Sequence, residues 1–399
     1  MKILFLAWLL WAAVNVAQAT DVHISAEFRP DLDNPNQRDF INTTPWSGVC
    51  AGVHLATCIS NGWWSIDMRV RGTKLGDGAR DWGRGSFFIG MPGPRRVTIV
   101  SEDGRDSHPL DLHIIGAAMR LTDAAQDGSR NPASLGGALG CRIGLTNGSA
   151  LNFSAMRMFL REDGGEGSSA CSLHWLDAND FDIRELDLVY RLTTPKPLTM
   201  RSGVYRGSTT YSVGGTGQGA DFDLGNDVTL TDSSVTVHFT LSVQHAFRLD
   251  LPPGSERALL SPRGGWSSWT DHGVAPEVLE RELPFSVSSS GKFSVFLQCQ
   301  YPQADGRCGI RSEVEDALDA PLDVSVTLPG FRELQSGAAA VDVALSAQGV
   351  PPVFGAGAVI IGRPSRLRFA VQGEAVRAML QRPGAHYRGD VTVVFDANP

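Results

Sequence analysis

The sequence predicts an all-β protein: two β-sandwich domains in tandem. Three observations predict it. Apolar and polar residues alternate in short runs along most of the chain. Glycine (44 residues) and proline (22) interrupt those runs at close intervals. Helical periodicity is nearly absent. Alternation puts every second side chain on one face of a strand. Short strands set between turn residues at regular spacing are the pattern of a sandwich.

The first element is a leader. Lys2 supplies a positive start, residues 3–16 form an apolar run, and Ala17-Gln18-Ala19 is a small-x-small cleavage site. The run is shorter than the roughly 20 apolar residues a membrane helix needs. The expectation is therefore cleavage after Ala19 and export. With 399 residues, and about 100–200 residues per domain, two domains are expected. The proposed division is 1–19 signal peptide, 20–200 N-terminal domain and 201–399 C-terminal domain. The cut follows Thr193-Thr194-Pro195-Lys196-Pro197, whose prolines stiffen an extended connector.

Within these domains the clearest strands are 64–70, 96–100, 235–241, 293–297 and 322–328. The two helix candidates, 312–318 and 373–381, are short. The segment Gly214-Gly215-Thr216-Gly217-Gln218-Gly219 reads as a hairpin loop. It lacks the Lys-Ser/Thr that a phosphate loop requires. The chain ends on an alternating strand, Val391-Thr392-Val393-Val394-Phe395-Asp396. An unpaired strand edge is a template for another chain, and the expectation is strand addition by a partner.

Six cysteines fall in three sequence-local pairs: Cys50 with Cys58, Cys141 with Cys171, and Cys299 with Cys308. An even count in an exported chain reads as disulfides. Fifteen connectivities are open to six cysteines, and local pairing is the simplest. Metal-ligand spacing is lacking, so no metal site and no cofactor are expected. The net charge of −8 argues against nucleic acid as a partner.

One stretch runs against the acidic balance. Arg69, Arg71, Lys74, Arg80, Arg84, Arg95 and Arg96 fall within 28 residues, with Asp77 and Asp81 among them. Trp63, Trp64, Trp82 and Trp175 are candidate platforms for sugars, while Trp266 and Trp269 read as structural. Carboxylates such as Asp177, Asp180 and Asp182 are plentiful, but no G-x-S-x-G nucleophile elbow occurs. No catalytic residue is assigned.

Three stretches carry a family resemblance: Trp266-Ser267-Ser268-Trp269-Thr270-Asp271-His272-Gly273 with Pro276-Glu277-Val278-Leu279-Glu280-Arg281-Glu282-Leu283-Pro284-Phe285; residues 293–300 with Cys299, Tyr301 and Cys308; and Tyr387-Arg388-Gly389-Asp390-Val391-Thr392-Val393. With the leader and the two-domain layout, the chain resembles the tip adhesin and minor initiator pilin family of the alternate chaperone–usher pathway. The resemblance is clearest over residues 203–399. It implies two immunoglobulin-like β-sandwich domains in tandem, the C-terminal one an incomplete pilin fold, completed first by a periplasmic chaperone and then by a strand of the major pilin. It also implies an outer-membrane usher as partner, travel through the periplasm to the cell surface at the pilus tip, and a host receptor, a glycan, bound by the N-terminal domain. The family's use of surface arginines makes Arg69, Arg71, Arg84 and Arg184 candidate receptor contacts. The alternative is a secreted β-sandwich carbohydrate-active enzyme with a binding module.

Overall fold

The structure, a computed structural model, describes residues 19–32, 37–75, 83–85, 87–123, 138–149, 154–173, 180–215, 219–313 and 319–397. Of the expected leader only Ala19 falls within these residues, where it opens the first strand; Arg80, Trp82 and Trp175 lie outside them. The chain is all-β, with its strands in sandwich-like sheets. It divides into two compact units. The first comprises residues 1–26, 42–195 and 205–240, and the second 27–41, 196–204 and 241–399. This differs from the expected cut at residue 200. The prolines do form a local turn at Pro197–Thr199, yet the strands that follow pair back into the first unit's sheet.

The first unit is assembled from β1 (Ala19–Phe28), a short helix α1 (Leu55–Asn61), β2 (Trp64–Asp67), β3 (Gly72–Lys74), β4 (Arg95–Ser101), β5 (Ser107–Asp123), β6 (Ser154–Arg161), β7 (Phe181–Thr193), β8 (Gly203–Gly214) and β9 (Ser234–Val243). The sheet order is β1–β9–β8–β4–β5–β7. The far edge of β7 is shared in series by β2, through Asp187↔Asp67 to Tyr190↔Trp64, and β3, through Phe181↔Lys74 to Ile183↔Gly72.

Burial explains these strands. In β9 the residues Val235, Val237, Phe239, Leu241 and Val243 alternate inward and are all buried. Each contributes about 1.5–3 kcal/mol of apolar burial. In β7 the run from Leu186 to Tyr190 is buried without a break, as expected of a strand covered on both faces; Val189 faces the small core of Val49, Cys50 and Cys58. The 64–70 strand stops early, at Asp67. Arg69 turns into left-handed backbone with φ 60°, which breaks the ladder before β3 begins.

The second unit is a two-sheet sandwich. Its strands are β10 (Phe247–Asp250), β11 (Val278–Ser289), β12 (Phe293–Cys299), β13 (Cys308–Ser312), β14 (Ala320–Thr327), β15 (Val353–Gly355), β16 (Ile360–Gln372) and β17 (Val391–Asp396). One sheet runs β10–β11–β16–β14–β13, the other β15–β12–β17. Inward residues of both sheets, among them Phe285, Val287, Phe293, Val295, Val324, Val326, Leu367 and Phe369, make one buried core. Two helices interrupt this unit: α2 (Ser267–His272) and α3 (Glu374–Leu380). The candidate at 373–381 is thus a helix. Most of the 312–318 candidate lies outside the described residues.

Three disulfides are formed: Cys50–Cys58, Cys141–Cys171 and Cys299–Cys308. All follow the sequence-local pairing.

Candidate functional site

Arg69, Arg71 and Arg184 are brought together at one joint of the first unit. There β7 changes partner, from β2 at Asp187 to β3 at Ile183. The register of β7 on β5 shifts between Ile183 and Glu185, so Arg184 sits in a bulge, a common place for re-aiming a side chain. Opposite it runs the kink at residues 68–71. Met68 and Val70 are buried there, and exposed Arg69 stands between them. The Asp67 carboxylate accepts the Arg69 backbone N–H at 2.8 Å.

The guanidiniums are not equivalent. Arg71 holds both oxygens of Asp67, at 2.9 and 2.6 Å. Arg184 donates to Asp182 at 2.6 Å, and neighbouring Arg120 to Glu185 at 2.9 Å. No such partner is recorded for the Arg69 guanidinium among the described residues. A non-glycine residue with φ above zero is uncommon, and such strain gathers at functional positions.

The fourth candidate, Arg84, forms a forked pair with Asp223 at 2.5 and 2.9 Å and sits 5.1 Å from the Phe88 ring centroid. Nearby, Arg95 pairs with Asp221, Arg96 with Asp111, and Lys74 is buried. The expected broad basic surface is therefore corrected. Acids pair with Arg71, Arg84, Arg95 and Arg96, those of Arg84 and Arg95 lying 139 and 126 residues away, and among the described residues of the run the exposed guanidinium without a partner is that of Arg69.

Beneath the joint lies a residue the sequence reading missed. Asp187 is fully buried, directly opposite Asp67 across the β7–β2 ladder. Its Oδ2 accepts the Val49 N–H at 2.7 Å, and its Oδ1 has no hydrogen-bond partner among the described residues. Burial first, then Glu185, pushes its carboxyl well above the ordinary aspartate range. Through Val49 this carboxyl fastens the start of the Cys50–Cys58 loop to the sheet. Gly48 makes room for it with φ 66°, since a Cβ there would meet the carboxyl carbon at 2.5 Å. The signal was present: Asp187 interrupts the apolar run Leu186-Asp187-Leu188-Val189.

Of the candidate sugar platforms, Trp63 and Trp64 pack against neighbours rather than stand free. Trp64 stacks on Trp46 with centroids 3.9 Å apart. Trp63 leans on the small core around Val49, Cys50 and Cys58. Among the enzyme candidates, Asp182 is tied to Arg184 and Asp177 lies outside the described residues.

The second unit presents a different feature. Among the described residues β10 pairs with β11 alone, and β17 with β12 alone. These two open edges belong to opposite sheets of the sandwich and adjoin each other, because Phe247 and Phe395 approach to 6.2 Å between centroids. Phe247, Leu249, Val391, Val393 and Phe395 all pack on the core yet remain half-buried. A fully buried Phe293 lies behind them, 5.0 Å from Phe247 and 6.3 Å from Phe395.

No family model and no curated protein matches the chain by sequence. Solved structures do align with it. A chain of the chaperone–tip adhesin complex of CFA/I fimbriae biogenesis aligns at 11% identity and TM-score 0.26, over 95% of this chain and 96% of that one. CfaE, the adhesive subunit of the CFA/I fimbria of enterotoxigenic Escherichia coli, aligns at 10% identity and TM-score 0.26, over 95% and 92%. A chain of the CsuC–CsuE chaperone–tip subunit pre-assembly complex from archaic chaperone–usher Csu pili of Acinetobacter baumannii aligns at 10% identity and TM-score 0.21, over 95% and 99%. Overlaps this loose fix no residue correspondence.

Proposed function

We propose that this chain is a non-enzymatic pilus-tip adhesin and initiating minor pilin of a chaperone–usher system. The observation that carries the reading is the open seam between β10 and β17. Among the described residues two edges without a second strand flank half-buried Phe247 and Phe395, so an extended strand laid between them would pair its backbone on both sides. Its alternate side chains would cover the exposed core. A periplasmic chaperone supplies that strand first, and the major pilin supplies it after passage through the usher. The sequence resemblance over residues 203–399 supports the same assignment. Residues 19–28 are paired within the chain's own sheet as β1, which suits a subunit that receives a strand. The first unit contacts the host receptor, an anionic glycan, through Arg69 with Arg71 and Arg184 beside it. A guanidinium suits the carboxylate or sulfate of such a glycan because its fork binds both oxygens.

Co-expression with a periplasmic chaperone of a chaperone–usher system tests the reading. The expected result is a one-to-one complex that Val393→Asp or Phe395→Asp abolishes, while the first unit's disulfides still form. A chain that stays soluble and monomeric without any partner, and gains nothing from the chaperone, would overturn it.

A further inference from the structure

Helix α2 shows its tryptophans to solvent. Trp266 is 41% and Trp269 37% exposed, although so large an apolar side chain is usually mostly buried. The expectation that both are structural is therefore not met. Gly273, with φ 68°, ends the helix in left-handed backbone, the usual glycine stop. The chain then turns back, and the Val274 N–H donates to the Ser268 carbonyl at 3.0 Å. Trp269 becomes one wall of an open cavity of about 400 Å³, with Arg263, Val274, Glu277, Glu280 and Arg368 around it.

The polar side of this cavity is fixed in place. Arg368 Nε donates to Glu280 Oε2 at 2.8 Å, and Arg263 Nε donates to Oε1 at 2.8 Å. The Glu280 side chain is only 13% exposed. The Arg368 hydrogen bond, aided by Arg263, holds the carboxyl below the usual glutamate range. The charges lining the cavity balance, two guanidiniums against two carboxylates, so neither an anion nor a cation gains a net attraction. A hydroxyl gains from both, since it can donate to carboxylate lone pairs and accept from guanidinium N–H groups. A ring with an apolar C–H face and a rim of hydroxyls also matches an indole wall beside a polar floor. The volume lies at the small end of ligand pockets, which run from about 300 to 1,000 Å³.

We infer that the cavity beside Trp269 is a subsite for a neutral saccharide of one or two rings, seated with its C–H face on the indole and its hydroxyls on Glu280, Arg263 and Arg368. The site lies in the second unit and is independent of the receptor contact proposed for Arg69. It would let the same chain hold a neutral glycan whatever its pilus role.

The test is saturation-transfer NMR on the full chain with methyl glycosides of glucose, galactose, mannose and N-acetylglucosamine, and with the two-ring forms of each. Transfer to at least one is expected. Its affinity should fall about tenfold or more in Trp269→Ala, the loss of one stacking contact, and survive in Trp269→Tyr. Should Trp269→Ala fold poorly, Val274→Lys at the exposed rim should block the cavity instead. Arg69→Ala should change nothing. No transfer from any glycoside, transfer unaltered in both Trp269→Ala and Val274→Lys, or a preference for sialylated over neutral sugars would overturn the inference. So would a protein partner that needs Trp269 while no sugar competes.

Discussion

The two units spend their interiors differently. Among the described residues the first buries charge: Lys74, Arg157, Arg161 and Asp187 are all at or below 8% exposure. The buried polar residues of the second are serines and threonines only. The first closes five large aromatics, with Tyr190, Tyr205, Tyr211, Phe159 and Phe222 all below 2%. The second leaves Phe247 and Phe395 half-buried on an otherwise closed core. Buried charge costs desolvation and is tolerated only when its partners are in place. The first unit is thus specified by polar fastening and is self-sufficient. The second is specified by apolar packing that stops short at one seam.

The largest expected effect comes from filling that seam. An alternating apolar peptide joined after Pro399 through a flexible linker should occupy the space between β10 and β17. Several side chains worth about 1.5–3 kcal/mol each, less the cost of ordering the peptide, leave a net gain on the order of 5 kcal/mol. Calorimetry should show the second unit's transition moving sharply upward and the first unit's unchanged. If both move together, or neither does, the contrast between the units is wrong.

Next in size is the centre of the phenylalanine cluster. Phe293 touches Phe247, Phe331, Phe354 and Phe395. Phe293→Ala should cost about 3–5 kcal/mol as a cavity in a closed core. Phe395→Ala should cost less, because that ring has not left water entirely. With the donor peptide in place the two costs should converge. Denaturant melts of the four proteins measure this directly.

A smaller effect separates the units by pH. Asp187 has a folded pKa above its unfolded value, so the folded form binds the proton more tightly. Its favourable contribution is full below the unfolded aspartate range, near pH 4, and declines as pH rises toward the folded value. Asp187→Asn removes this proton while keeping an oxygen for the Val49 N–H. The variant should show a flatter stability profile from about pH 4 upward, confined to the first unit. A profile parallel to the parent protein's would mean Asp187 is ionised in the fold and the fastening is a different one.

The strands of both units were legible because alternation is a local signal. Residues 235–241 and 293–297 lie within observed strands, and 322–328 overruns its strand by one residue, Leu328. What was not legible depends on distant partners. The connector at 193–197 suggested a domain cut, but residues 205–240 group with the first unit, through pairings no local pattern announces. Part of the basic run looked free because its neutralising acids are far off in sequence, as with Arg84 and Asp223, 139 residues apart. Helices α1 and α2 are too short to show a period. Both end on a left-handed glycine, Gly62 and Gly273, a stop signal that could have been read. The disulfides were legible because each closes locally.

The smallest effect on stability carries the sharpest statement about binding. Arg69 occupies left-handed backbone at a cost of about 1 kcal/mol for a residue with a Cβ. Arg69→Gly removes that strain and the guanidinium together. Glycine's greater freedom in the unfolded chain offsets the relief by about 0.5–1 kcal/mol. The melting temperature should therefore hardly move, and the backbone that presents the neighbouring Arg71 should be kept. If Arg69 contacts an anionic glycan, the lost charge-assisted bond, worth about 1.5–3 kcal/mol, should weaken binding roughly tenfold or more. Added salt should mask the difference, because exposed charges are screened within about 8 Å at physiological ionic strength. Arg84→Ala, which breaks a pair already satisfied by Asp223, should affect stability more than binding. A glycan array probed with both variants, beside thermal melts, separates the two roles. If Arg69→Gly binds every anionic glycan as the parent chain does, and Arg71→Ala and Arg184→Ala do too, the joint between β2 and β3 is a charged surface without a receptor, and the first unit must meet its host elsewhere.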